Sequence, residues 1–411
     1  MTTDEDLLAA SPSRAPGTEL HWRDDGARRT PILKDRMRGR YHRLSTGSAW
    51  IWSLCDGRRT LAAIAASVAA KGGPPDAAVV IAAALRLAAD GLVEGVAVEA
   101  PPPDERGRGF AAACLRILTW RLTIHCVDPL MTWLYHHVGF LAFKRPVRIL
   151  LILLMAAGAA AFLATWLFWQ RPFADLAGRW VWLLPLFLFG CILPHEAAHA
   201  MANKHFGREV IGAGFGWFWL GPFFYIDTSD MWLAGRRERI LVSLAGTVSD
   251  LSIAGACSLV ACFATPPLSA AAFAAATALY LIVLGNLSPL LEYDGYYVLA
   301  DLLDRPNLRR RSLRRLCGVL SQRPIRWREF SRDRIEFAYG VGSLAYLAFL
   351  LGVSAYFNHA FFDGLLGAAT GWWTAALTWL ATLALLLVFL CGLVSDIRRS
   401  GHPPSPLARG R

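Results

Sequence analysis

The sequence has no CxxC pair and no regular cysteine spacing: its eight cysteines stand at 55, 114, 126, 191, 257, 262, 317 and 391. That scatter excludes the disulfide framework that staples small secreted domains, and it excludes a cysteine-held zinc site. The first residues, "MTTDEDLLAASPSRAPG", are acidic and polar and lack an apolar run, so no secretory signal is expected there. Charge is sparse, at 18% of residues. The net charge of +11 comes from arginines gathered in particular loops, which fits adhesion to anionic lipid and gives no support to a nucleic-acid function.

What the sequence has is apolar residue, 55% of it, in long blocks. Stretches of roughly 20 such residues, enough to cross a hydrocarbon core of about 30 Å, stand at about 147–169, 179–203, 240–264, 268–290, 335–356 and 371–395. Six spans are therefore expected. Basic segments before the first span (Arg116, Arg121, Lys144, Arg145, Arg148), after the second (Lys204, Arg208, Arg236, Arg237, Arg239) and after the fourth (Arg305 through Arg328) mark the cytosolic side. The alternate loops "TPPLS" and "NHAFFDGLLGAAT" carry no Lys or Arg, and "QRPFADLAGR" carries only Arg171 and Arg179. Both termini are accordingly expected in the cytosol, with the chain multi-pass in the lipid bilayer.

Ahead of the membrane part, residues 20–98 read as a small domain, with 1–19 a disordered N-terminus and 99–146 a linker and juxtamembrane segment. Thr60 is placed to cap "LAAIAASVAAK", which stops at Gly72 and Gly73. Asp76 is placed to cap "AAVVIAAALRLAAD", which stops at Gly91. Two helices followed by a short β pair in "LVEGVAVE" predict a winged-helix (α+β) unit. The fold class expected overall is mostly α: a six-span helical membrane core over 147–397, this cytosolic domain before it and a tail over 398–411.

The segment "CILPHEAAHAMANKHFG", 191–207, sets two histidines and a glutamate among apolar residues. His195 and His199, four apart, project from one helical face and can share a zinc ion, with Glu196 between them to take a proton from an attacking water. Ionisable groups inside a span are costly and mark function. A third ligand is needed, and Asp227, Asp230, Asp250, His205 and Asp294 are the candidates. Spans two and four run in the same direction, and Asp294 follows Pro289 at the cytosolic end of the fourth, level with the histidines. Asp250 lies about ten residues into the third span, roughly 15 Å above that end. His205 faces away from the pair. Asp227 and Asp230 lie in a loop of unfixed position, where turn and capping roles compete with ligation.

Two resemblances are carried by these residues. Tyr41, Leu44, "IWSLCDGRRTL" from Ile51 to Leu61, Ile64, Leu87, Gly91 and Leu92 resemble the PqqD family, whose members recognise leader segments of ribosomally made peptides. His195-Glu196-Ala197-Ala198-His199, then Asn286-Leu287-Ser288-Pro289 and Glu292-Tyr293-Asp294-Gly295, resemble the site-2 protease class of intramembrane zinc metalloproteases, peptidase family M50, in a bacterial branch with a PqqD-like module. Tyr293 replaces that class's leucine, and "AGTVSD", 245–250, departs from its Ala-Gly-Pro and asparagine.

The second resemblance implies Zn2+ held by His195, His199 and Asp294, Glu196 as the catalytic base, Asn286 orienting the substrate backbone, and β structure over "EVIGAGFGWFWLGPFFYIDTSDMW" that holds an extended peptide. A peptide or membrane-protein substrate and a bacterial inner-membrane location follow from it. The competing reading is a non-proteolytic peptide-binding and export component that hands its cargo to an efflux or membrane-fusion partner. A metal transporter is disfavoured, since it needs acidic or histidine pairs repeated along several spans.

Overall fold

The computed structural model describes residues 4–25, 29–72, 76–96, 121–168, 188–218, 221–321 and 334–366, with isolated positions 376, 380 and 383. It is mostly helical, with small antiparallel sheets.

The N-terminal unit begins with helix α1 (Asp4–Ala9) and strand β1 (Ser13–Arg14). The antiparallel meander β2 (Thr18–Asp24), β3 (Arg29–Asp35) and β4 (Arg40–Arg43) follows. Helices α2 (Thr46–Leu54), α3 (Leu61–Ala70) and α4 (Ala77–Ala89) come next, then strand β5 (Val93–Glu94). The Thr60 side chain accepts from the Ala63 N–H at 3.2 Å and Asp76 accepts from Ala78 at 2.9 Å, so both expected caps form. Gly72 and Gly91 leave their helices at φ +79° and +71°, a conformation that residues with a side chain avoid. Leu33, Ile51, Trp52, Leu61, Ile64, Val80, Leu87 and Leu92 fill one core, and the Trp52 indole donates to the Leu92 carbonyl at 3.1 Å.

One expectation for this unit needs correction. Residues 1–19 are not wholly disordered: Leu7 of "DEDLLA" is buried, α1 packs on α3, and β1 pairs with β5. Val93 and Glu94 of "LVEGVAVE" pair with β1, and Gly95, at φ +82°, turns the chain after them. Residues 97–99, on which the pair expected within "LVEGVAVE" depends, lie outside the described residues.

The second unit runs from strand β6 (Arg121–Ile124) through helices α5 (Asp128–His137) and α6 (Arg145–Phe168) to α7 (Leu193–His205). The hairpin β7 (Gly212–Phe218) and β8 (Gly221–Asp227) leads to α8 (Arg236–Phe263), α9 (Leu268–Asn286), α10 (Asp294–Leu302), α11 (Leu308–Ser321) and α12 (Arg334–Leu366). β6, assigned to a linker from sequence, joins β7 and β8 in an antiparallel sheet of order β6–β7–β8. Helix α8 is the spine, packed against α6, α7, α9 and α10. Its Gly255 meets Gly158 of α6 so closely that a Cβ on either would strike the other helix's backbone, the small-residue contact by which apolar helices approach.

Among the described residues, four helices are long and apolar enough to cross a membrane: Arg145–Phe168, Arg236–Phe263, Leu268–Asn286 and Arg334–Val353. They coincide with the expected first, third, fourth and fifth spans. Of the second, only a π turn (Leu188–Ile192) and α7 are described, and 179–187 lie outside the described residues. The sixth, 371–395, lies outside them apart from single helical positions.

The two units meet along a charged seam. Lys34 of β3 donates to Asp230 at 2.7 Å and to Glu209 at 2.8 Å, and the Tyr41 hydroxyl donates to Asp230 at 2.7 Å. Arg23 donates to the Trp232 carbonyl, and Asp25 accepts from the Arg236 N–H. Burial alone would raise the Asp230 carboxyl, but hydrogen bonds from Lys34, Tyr41 and the Glu209 N–H outweigh it and hold the group below its ordinary 3.8. Burial alone would lower the Lys34 ammonium, and its bonds to Asp230 and Glu209 hold it above 10.5. The depressed carboxylate contributes stability above its ordinary value and loses it as pH falls through the folded value; the raised ammonium contributes below 10.5 and loses it as pH rises through its own. The seam is therefore expected to hold between the ordinary values of 3.8 and 10.5 and to weaken as pH falls below the first or rises above the second. Lys34→Met, which leaves the buried Asp230 with its bonds from Tyr41 and the Glu209 N–H but without its cation, is expected to weaken the seam by roughly 3 kcal/mol. Amide protection over β3 and Ser229–Leu233, corrected for the intrinsic pH dependence of exchange, measures both effects, and protection unchanged in Lys34→Met and on titration well below 3.8 would contradict them.

Candidate metal centre

Helix α7 begins after the π turn, with Pro194 at its second position, where a missing N–H is tolerated. His195 and His199 fall on one face of its first two turns, and that face looks onto α8. The His199 Nδ1 donates to the Val242 carbonyl at 2.7 Å, and the His195 Nδ1 donates to Asp250 Oδ2 at 2.8 Å. A carbonyl accepts only, so the His199 proton stands on Nδ1, and the Asp250 carboxylate selects the same tautomer for His195. Both Nε2 lone pairs are thereby released toward a common point.

Asp294 arrives from the other side. After α9 the chain turns through Ser288 and Pro289, and α12 grips this turn: Tyr339 Oη donates to the Pro289 carbonyl and Ser343 Oγ to that of Leu290, each at 2.8 Å. Asp294 then opens α10, where a carboxylate suits the helix N-terminus. Its Oδ2 lies 3.4 Å from His195 Nε2 and its Oδ1 3.5 Å from His199 Nε2, while the two Nε2 atoms are 3.2 Å apart.

These separations decide the chemistry. Four electron-rich atoms converge with their protons directed elsewhere, and Asp294 Oδ2 is buried without a hydrogen-bond partner. Tetrahedral zinc with bonds of about 2.0–2.1 Å holds its ligands about 3.3–3.4 Å apart, so the donor set fits such a cation. His195, His199 and Asp294 are the group of His, Cys, Asp or Glu among the described residues that could hold a metal ion. Gly246 of α8 keeps the space clear: a Cβ there would lie 2.5 Å from Nε2 of both histidines.

Glu196, between the histidines, accepts the Ile226 N–H of β8 at 2.9 Å through Oε2. That bond ties the edge of the β6–β7–β8 sheet to α7. β7 and β8 lie within the segment for which β structure is expected, and residues 219 and 220 lie outside the described residues.

The other acidic candidates go elsewhere. Asp227 accepts the Ser229 N–H at 2.9 Å and closes the turn after β8, and Asp230 belongs to the seam. His205 is exposed, stacked on Phe143 at 3.9 Å between ring centroids. Asn286 is half-buried at the end of α9, outside the metal group. Asp250 is the residue that sequence reasoning misplaced. Counted from the cytosolic ends of their spans, His195 at eight residues and Asp250 at ten differ in height by only about 3 Å. That comparison was the available signal.

Comparison with known proteins adds to this geometry. Residues 30–93 match the family described as "Coenzyme PQQ synthesis protein D (PqqD)". A stretch of 126 residues is 29% identical to the "Putative peptide zinc metalloprotease protein YydH" of Bacillus subtilis (strain 168), which covers 30% of this chain and 48% of that protein. The chain thus spans about half the length of that relative. No solved structure matches.

Proposed function

We propose that the chain is an intramembrane zinc metalloendopeptidase of the site-2 protease class, peptidase family M50, that cleaves a membrane-associated or ribosomally made peptide delivered by its PqqD-like domain. The observation that carries the reading is the convergence of His195 Nε2, His199 Nε2 and the Asp294 carboxylate within 3.2–3.5 Å, with Glu196 on the same helix. The named relative supports it from a second direction.

His195, His199 and Asp294 would hold zinc, and zinc bound there supplies Lewis acidity toward the scissile carbonyl and the attacking water. Glu196 takes a proton from that water and returns it to the leaving amine nitrogen as the C–N bond breaks. The Ile226 N–H holds Glu196 Oε2, which leaves Oε1 to receive the proton. We assign Asn286 to orienting the substrate backbone, and the edge of β8 beside Glu196 to receiving an extended peptide. Loop charges favour an inner-membrane protein of six spans with both termini cytosolic, which sets the site near the cytosolic face.

Binding without cleavage, as part of an export system with an efflux or membrane-fusion partner, is the competing reading, and the PqqD match is equally at home in it. The two separate in one experiment. The full chain, in nanodiscs with zinc, is mixed with precursor peptides encoded beside its gene and the products are weighed by mass spectrometry. Two fragments that sum to the precursor plus one water, absent with a chelator, are expected. Tight binding with no fragment would leave the export reading.

A further inference from the structure

We propose that Asp250 is a positioning residue of the metal centre: it fixes the His195 ring for ligation and adds negative charge that favours a divalent cation there. The inference rests on the metal centre described above and not on proteolysis.

The first argument is orientation. An imidazole offers a metal one lone pair, and which nitrogen offers it depends on the hydrogen bond made by the other. His199 is oriented by a backbone carbonyl, Val242, and His195 by a carboxylate, Asp250, at 2.8 Å. Both partners lie on α8, so the helix that walls the site at Gly246 also sets both rings.

The second argument is charge. Asp250 is 2% exposed, in a helical turn formed otherwise of apolar and small residues. A carboxylate in such a place is costly unless positive charge stands close by, and a neutral imidazole does not provide it. A divalent cation on the far nitrogen of that imidazole does. With two neutral histidines, Asp294 leaves the ligand set at +1, and Asp250 places a further negative charge against it, on the side of His195 away from Glu196. Within a membrane span this balance matters more than in water, because uncompensated charge there is expensive. The pairing of carboxylate, histidine and metal is a general means of raising ligand basicity, and losing such a carboxylate typically weakens metal binding by about 10–100-fold.

The test is zinc affinity of the full chain in detergent, read by competition with a chromogenic chelator, for wild type, Asp250→Asn and Asp250→Ala. Asp250→Asn keeps shape and removes charge, so it remains informative where Asp250→Ala fails to fold. Affinity is expected to fall about 10–100-fold in Asp250→Asn, with the cobalt-loaded absorption bands still those of a tetrahedral site. Affinity within two-fold of wild type would overturn the proposal. So would complete loss of zinc with altered cobalt bands, which would make Asp250 a ligand. Wild type that binds zinc but cleaves nothing would sink the peptidase reading and leave this one standing. Wild type that binds no zinc would end both.

Discussion

Glu196→Gln is expected to keep a full complement of zinc while cleavage of the precursor falls by about 10²–10⁴-fold, the range lost when a positioned general base is removed. The variant isolates one function. Gln keeps the length and an oxygen to accept the Ile226 N–H, so β8 stays tied to α7. What it lacks is the capacity to take a proton from water. Because Glu196 is not among the converging ligands, metal content is expected to stay at wild-type level. Rates of fragment formation, measured beside zinc content on one preparation, check both halves. Undiminished cleavage would remove Glu196 from the mechanism.

The second large effect falls on Asp294. Asp294→Ala is expected to lose most bound zinc, since two histidines alone leave the cation short of a protein ligand. Asp227→Ala and Asp230→Ala are expected to keep it, because the first closes a turn and the second serves the seam. Metal analysis of the three folded proteins decides. Zinc retained by Asp294→Ala and lost from either of the others would move the centre into the loop after β8.

Much of the site was legible because its signals are local. The i, i+4 spacing of His195 and His199 needs only helical periodicity, and Pro289 before Asp294 marks where a span must end. The caps at Thr60 and Asp76 and the stop at Gly91 are local in the same sense, and the structure has them where backbone chemistry puts them. What escaped depends on distant partners. The hairpin of "TELHWRD" and "RTPILKD" pairs along seven residues, but its charged, weakly alternating strands give little periodic signal. Nothing local in Lys34 points to Asp230, 196 residues on, because an ion pair across a seam is a property of the docked units. The role of Asp250 escaped for a third reason: its height was compared with Asp294 rather than with His195.

The central claim is that His195, His199 and Asp294 make one metal centre, and X-ray absorption at the zinc edge tests it most directly. For wild-type protein in nanodiscs, the expected spectrum has one zinc per chain, two imidazole nitrogens and oxygen donors at about 2.0–2.2 Å, and no sulfur shell at about 2.3 Å. His199→Ala should cost one of the two imidazoles, or the metal itself. A sulfur shell, a spectrum unchanged in His199→Ala, or a purified chain that takes up no zinc would contradict the claim.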